Sequence, residues 1–298
     1  MMGWRVIGEV RRLTSPSPDR AALEHVLDIA ARAPSLRNLQ PWRWHVDEAG
    51  VHLYADWRRQ AGDGPADRRD VLIGCGAVLD HCAMALAVAG WTPRVRRVAR
   101  PDRDGPLAIL EVVDQQPPGE FHVELAAAIP LRRADRRAFV ASRLAPGTLE
   151  LLHIRAARLG VELSVVPRLR WGRLHDGGAA LRYGDASAVR PDASPDDAVM
   201  VVLGTNRDDD LARLRAGEAL SRVLLSATAL GLATCPLTEP LNDVRGRLAL
   251  ACEVFDGEAH PQALIRLGLS TSDTDPPPPA PRRSVSETTT WSQQFGGG

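Results

Sequence analysis

Two long apolar stretches, 70–89 and 211–230, can be laid on one another without a gap. Gly76, Leu79 and Gly90 fall on Gly217, Leu220 and Gly231 at one constant offset. Each stretch has the length and composition of a helix, and each is closed by a glycine of the kind that ends helices. The elements around them recur in the same order. The first set runs from a helix opened by Asp19, with Leu23, Val26, Leu27 and Ala30 on one face, through strands at 42–46 and 51–55, the long helix, and a strand at 107–113. The second runs from a helix opened by Thr148, with Leu151, Leu152, Ile154 and Leu159, through strands at 161–166 and 199–204, the long helix, and a strand at 263–269. A duplication of about 140 residues is too long for a solenoid repeat and predicts one body with a pseudo-twofold axis. Small residues on the long helices, among them Ala83, Ala85, Ala87 and Ala227, let two backbones approach closely. Asp80 and His81 sit mid-way along the first long helix, and a charged residue at the centre of a bilayer costs about 3 kcal/mol. That helix is therefore expected in a protein core rather than in a membrane.

A chain of 298 residues that is 44% hydrophobic can bury a sizeable core. Its formal net charge of zero gives no pull towards nucleic acid or a membrane surface. The chain has no lysine; every basic residue is arginine. This excludes a lysine Schiff base, a phosphate-loop lysine and a kinase lysine, and leaves any bound anion to arginine, backbone amides or helix ends. The four cysteines, Cys75, Cys82, Cys235 and Cys252, form no C-x-x-C and have no histidine at ligand spacing, so they are expected as buried thiols and no metal is expected. The first 18 residues carry charges through their only apolar run, which argues against a signal peptide and for a cytoplasmic location.

Four segments carry the chemistry. Residues 33–42, Ala-Pro-Ser-Leu-Arg-Asn-Leu-Gln-Pro-Trp, are expected to be held extended by their prolines, with the amides of Asn38 and Gln40 free to donate and accept. Residues 130–139 place Arg132, Arg133, Arg136 and Arg137 within six positions, a pattern that suits a phosphate but also a solvated basic stretch. Residues 231–240 read Gly-Leu-Ala-Thr-Cys-Pro-Leu-Thr-Glu-Pro, and Arg282 and Arg283 form a basic pair in the tail. The basic run at 94–100 reads as an exposed strand edge. The Pro-rich tail, 271–298, is expected to lie outside helix and sheet.

These segments resemble the nitroreductase superfamily, and more closely its Acg-type, dormancy-associated branch, in which two nitroreductase-like halves are fused. The resemblance covers nearly the whole chain. It implies an α+β, internally duplicated fold in which one chain mimics the family's dimer, with halves at 1–128 and 129–270 in one compact unit. It also implies one FMN per chain, because the P-S-x-x-N-x-Q-P-W element is in the first half and the arginine motif in the second. The positions matching the family's cofactor contacts are Pro34, Ser35, Asn38 and Gln40; Arg132, Arg133, Arg136 and Arg137, with Ala134 where relatives carry a hydroxyl; Pro236, Leu237 and Thr238, followed by Glu239 where many relatives have glycine; and Arg282 and Arg283. No catalytic side chain is assigned, since the cofactor carries the hydride chemistry.

Two functions follow from the resemblance. One is an oxidoreductase passing hydride from NAD(P)H, a transient donor, to nitroaromatic- or quinone-like acceptors. The other is a non-catalytic protein that stores or sequesters FMN. Both need no nucleic acid, no membrane and no second chain to complete the site. The discriminating feature is the extra stretch 168–197, read as a long loop whose Trp171, Leu174, Leu181 and Tyr183 could dock it over the flavin ring as a lid.

Overall fold

The computed structural model describes residues 17–139, 144–183, 196–270 and 275–293. The first half contains α1 (Arg20–Ala30), β1 (Trp42–Asp47), β2 (Gly50–Ala55), α2 (Pro65–Val88), β3 (Trp91–Arg97) and β4 (Ala108–Gln115). After a connecting helix, α3 (Glu120–Ala128), the second half contains α4 (Thr148–Ala157), β5 (Glu162–Val165), a short pair β6 (Trp171–Arg173) and β7 (Ala179–Leu181), and β8 (Val199–Thr205). It continues through α5 (Asp210–Ala229), β9 (Ala233–Leu237), α6 (Val244–Phe255) and β10 (His260–Gly268), and ends in α7 (Val285–Thr288) and β11 (Thr289–Trp291). Helix α1 forms as its sequence dictates. The Asp19 carboxylate accepts the Ala22 N–H at 2.8 Å, and Leu23, Val26, Leu27 and Ala30 are its buried face.

The duplication is explicit in the sheets. Four strands of the first sheet run β1-β2-β4-β3 and the second sheet runs β5-β8-β10-β9, position for position and with antiparallel neighbours. Each sheet packs its own apolar face against one of the long helices, α2 or α5. The two helices then cross at the pair of glycines that match in the sequence. A Cβ on Gly76 would run into the Leu214 carbonyl and come within 2.9 Å of the Gly217 Cα. A Cβ on Gly217 would run into the Ile73 carbonyl and come within 2.9 Å of the Gly76 Cα. Ile73 and Leu214 are themselves at the duplication offset, so the pseudo-twofold axis passes between the glycines. Asp80 and Ser221, another matched pair, meet across it: the Ser221 hydroxyl donates to Asp80 at 2.6 Å, and Arg222 Nε donates to the same carboxylate at 2.7 Å. Among the described residues α2 alone is long and apolar enough to cross a membrane, and 94% of its most apolar window is buried in the protein.

Three expectations need correction. The proline-rich tail does enter regular structure. Its prolines bar only their own stretch, and further on Thr289–Trp291 adds to β1 as a parallel edge strand, with Trp44 opposite Thr289. The second half thereby completes the first half's sheet. The segment after α1 is not extended: residues Leu36–Asn38 form a 3-10 turn with Arg37, Asn38 and Gln40 all at positive φ. The stretch 168–197 is not a bare loop, because residues 171–181 form the β6–β7 hairpin; 184–195 lie outside the described residues. The basic run at 94–100 is as read, since β3 forms the sheet edge. Helices α3 and α6 were not read from sequence.

Candidate functional site

One cleft gathers most of the expected residues. It lies where the two halves meet and encloses about 1220 Å³ of empty space, including solvent at its mouth. Its floor is the helix crossing, with Ile73 and Gly74 from α2 and Leu220 from α5. Gly74 lets the segment after α1 sit close, since a Cβ there would meet Pro41 Cγ at 3.2 Å and Ser35 Cβ at 3.4 Å. One wall is Pro34 to Asn38 of the first half, and the other is Cys235 to Glu239 of the second. Arg132, Arg133, Ala134 and Arg136 line it through the segment after α3. That segment is pinned to β9 by a bridge between Ala134 and Thr234 and by the Asp135 N–H donating to the Thr234 carbonyl at 2.8 Å. The tail closes the remaining side with Pro278, Pro279, Ala280 and Arg282.

The cleft has a cationic end. The Arg132 guanidinium is buried, and its Nε and Nη1 have no partner; only Nη2 donates, to the Arg32 carbonyl at 3.4 Å. Burial, reinforced by Arg282 and then Arg133, pushes its pKa down to about 10, so it stays charged at neutral pH. Arg282 donates to Asn38 Oδ1 at 2.9 Å and to the Arg32 carbonyl at 3.1 Å, and its Nε is unpartnered. Burial and the neighbouring Arg32 and Arg133 lower its pKa as well. Among the described residues no carboxylate forms an ion pair with Arg132, Arg133 or Arg282. His81, below this cluster on α2, is buried and pushed down to about 3 by burial and by Arg132, so it adds no charge. A buried guanidinium without a counterion is costly, and a compact negative charge such as a phosphate would fit it chemically.

The other end of the cleft is acidic. Asp70 of α2 is buried there, and Glu239 stands opposite on the turn after β9. The Glu239 carboxylate accepts the Thr238 N–H at 3.2 Å and lies 3.6 Å from Arg136. The hairpin between β6 and β7 borders this end: Leu174, Asp176 and Gly178 form an adjoining cleft with Arg37, Arg136, Leu237 and Glu239.

Three expected residues turn away from the cleft, each for a visible reason. Gln40 is spent on the tail, its Oε1 accepting the Arg283 N–H at 2.8 Å while its own N–H donates to Ser35 Oγ at 2.9 Å. Arg283 donates to the Gln40, Trp42 and Glu287 carbonyls. Arg137 pairs with the buried Asp135 at 2.7 Å and reaches the Asp275 carbonyl. Asp135 would be raised by burial, but Arg137 holds its carboxyl below the usual range. Arg32 and Asp70 were missed from sequence. Arg32 carried no signal; Asp70 did, as an acid at the head of an otherwise apolar helix.

The lid expectation is changed in one respect. Trp171 is fully buried in the second half's core with Arg168 stacked 4.3 Å from its ring, and Tyr183 donates to Glu253 at 2.8 Å. These aromatic rings anchor the hairpin and leave only its tip beside the cleft. A further anchor is the buried Arg266, which donates to Asp196 at 2.7 Å and to the Gly177 carbonyl at 3.2 Å. Cys75, Cys82 and Cys235 are buried as expected, whereas Cys252 is exposed; no metal-binding cluster occurs among the described residues.

At the duplication offset, Thr238 of the cleft corresponds to Arg97 on the opposite face. There the Arg97 guanidinium lies in a two-pronged pair with the buried Glu218, at 2.6 and 2.7 Å. The pseudo-equivalent position is thus occupied by a neutralised ion pair.

No family model matches the chain. Among curated proteins, it is similar to a Mycobacterium tuberculosis protein named as an NAD(P)H nitroreductase, Rv3131, with 38% identity over 93% of this chain and 94% of the relative. The M. tuberculosis NAD(P)H nitroreductase Acg matches at 32% identity over 89% of this chain and 94% of the relative. Among solved structures, a nitroreductase from Anabaena variabilis superposes with a TM-score of 0.50 at 12% identity, covering 86% of this chain and 90% of the other, which supports the fold. With relatives of this similarity along almost its full length, and with the duplicated α+β architecture described above, the chain belongs to the nitroreductase family, in its Acg-type branch.

Proposed function

We propose that the cleft binds one FMN, with the phosphate at Arg132, Arg133 and Arg282 and the ring between the Ser35–Asn38 wall and Pro236–Thr238, and that the protein is an FMN-dependent oxidoreductase that uses NAD(P)H to reduce nitroaromatic- or quinone-like acceptors. The observation that carries this reading is Arg132, a buried, charged guanidinium with two free nitrogens and no carboxylate partner at the inner end of the cleft. A flavin phosphate brings about −1.5 to −2 charges and three acceptor oxygens, which suits that vacancy of partners. When bound, the flavin supplies the hydride chemistry. The protein's own part is to hold the phosphate, to exclude water with Ile73 and Leu220, and to supply hydrogen-bonding groups from the two walls. Flavin released by heat from purified protein is expected to approach one per chain, since the P-S-x-x-N-x-Q-P-W element is in the first half and the arginine motif in the second. Anaerobic NADPH is expected to bleach its visible absorbance. A ratio near two would contradict the single site; absence of bound and bindable flavin would contradict the whole reading.

A second reading, FMN held with restricted turnover, is favoured by the hairpin tip at the acidic end and by Glu239, which occupies the Thr238 N–H. Arg173 and Ala179 are directly paired across the hairpin, so residues 174–178 can be replaced by Asn-Gly without disturbing its register. If the tip restricts access, the shortened protein should be reduced by NADPH about tenfold faster, the effect of removing roughly 1.4 kcal/mol of barrier. An unchanged rate in FMN-loaded protein would favour the open reductase.

A further inference from the structure

The acid at the far end of the cleft has a position and a set of neighbours that ask for a role. Asp70 lies in the first turns of α2, 6% exposed, in the wall of the cleft, and its Oδ1 has no hydrogen-bond partner. Its one cationic neighbour, Arg69, is 3.8 Å away and already engaged: Arg69 donates to Asn242 Oδ1 at 2.7 Å and to the Thr238 and Leu241 carbonyls at 3.3 Å. Arg69 thus holds the turn after β9 in place more than it neutralises Asp70. The other charged groups at this end are Asp67 on the same helix, Glu239 from that turn, and Arg37 and Arg136 from the two cleft walls. Burial pushes the Asp70 carboxyl up to about 6, opposed by Arg69 and by the Thr238 side chain and aided to a smaller extent by Glu239 and Asp67. A carboxyl with such neighbours exchanges its proton in the neutral range instead of remaining a fixed charge.

Helix α2 also sets the distance. His81, which feels Arg132 and Arg282, follows Asp70 by eleven residues, about 16 Å along the helix at 1.5 Å per residue. A ligand whose phosphate meets Arg132 and whose length follows α2 brings its opposite end to Asp70.

We infer that Asp70 is the proton-carrying residue at the ring end of the cleft: protonated, it donates a hydrogen bond to the ring of the bound flavin, and ionised, it weakens the binding of that ring. The inference rests on the flavin reading of the cleft. When ionised, the same carboxyl would add a negative charge beside Glu239, whose own charge is offset by Arg136, and would disfavour negative charge on a bound ring, so Asp70 would take up a proton where the ring gained such charge.

The test is FMN affinity, measured by quenching of flavin fluorescence from about pH 5 to pH 8, for the full-length protein and for Asp70→Asn. The phosphate's own ionisation is common to both proteins and cancels in the ratio of their dissociation constants. At about pH 5 the two should agree within roughly twofold. As pH rises through about 6, wild-type binding should weaken relative to Asp70→Asn, reaching about a tenfold difference, equivalent to about 1.4 kcal/mol. A ratio that does not change with pH would overturn the inference while leaving FMN binding intact; no FMN binding by the wild type would instead sink the flavin reading on which it rests. Should Asp70→Asn not fold, the wild-type protein labelled with carboxyl carbon-13 aspartate supplies the second measurement. The aspartate titrating near pH 6 should shift to a higher midpoint when FMN is added, and a midpoint that stays or falls refutes the proposal.

Discussion

Replacing Arg132 by methionine is expected to weaken FMN binding by about 1.5–3 kcal/mol for each charge-assisted bond lost, roughly ten- to a hundredfold, and to leave riboflavin binding nearly unchanged. The physical reason is selective. The Arg132 guanidinium faces no carboxylate, and what it lacks is supplied by a phosphate, which riboflavin does not carry. A second effect runs in the opposite direction. In the absence of ligand a buried, unpartnered charge is a liability, and an apolar side chain of similar length removes it. Arg132→Met should therefore unfold at a higher temperature than wild type when both are free of flavin, and this order should narrow or reverse when FMN is added, because only the wild type gains the full linkage stabilisation. Titration with FMN and riboflavin, with thermal melts at each end, reads all of this. Equal losses for the two ligands would place the phosphate elsewhere. Arg133→Met should have the smaller effect, because Arg133 already donates to the Pro130, Arg132 and Pro277 carbonyls.

The largest effect on stability is expected at the helix crossing. Exchanging a helical glycine for alanine normally stabilises a helix by about 1 kcal/mol. For Gly76→Ala the sign should reverse. The added methyl meets backbone, the Leu214 carbonyl and the Gly217 Cα, and backbone cannot rotate out of the way as a side chain can. The two longest helices must separate or shift, and overpacking of this kind costs about 1–3 kcal/mol or more. A net loss of about 2 kcal/mol, lowering the melting temperature by roughly 3 °C for a chain of this size, is the expected outcome. Gly217→Ala should cost a similar amount, because its contact with Ile73 is the pseudo-symmetric copy. Both variants should also bind FMN less tightly, since Ile73, Gly74 and Leu220 of these helices floor the cleft. Denaturation that shows Gly76→Ala more stable than wild type would mean that the halves do not meet at this crossing.

Much of this protein was legible along the chain because the relevant forces are local. Asp19 and the spacing of Leu23, Val26, Leu27 and Ala30 specify α1 before any partner is known. The constant offset of Gly76, Leu79 and Gly90 on Gly217, Leu220 and Gly231 specifies the duplication, and the two sheets repeat the same strand order. The concentration of arginines at 132–137 is legible as a candidate anion site, although the chain alone suits a solvated basic stretch as well. Other features were decided by contacts distant in sequence. Arg137 carries the same chemistry as Arg132; its neighbour Asp135 is two residues away, but the Asp275 carbonyl that also holds it is 138 positions off, and nothing in the chain says that Arg132 will be buried with two nitrogens unpartnered. Trp171 reads as an aromatic ring available to a ligand, but the second half's core offers it a fully buried place. The prolines of the tail hide a strand that forms only because β1 presents an open edge. Asp70 looks like an interruption in an apolar helix, and its raised pKa arises from burial and from Glu239, 169 positions away in sequence. The sequence determined the principal helices and strands of the two halves, their duplication and the cluster of positive charge, because capping, periodicity and composition act between near neighbours. Tertiary structure alone decided which arginine remains without a carboxylate among the described residues, which aromatic is hidden and which cleft acid has its pKa raised, because burial and charge pairing depend on what the fold brings together.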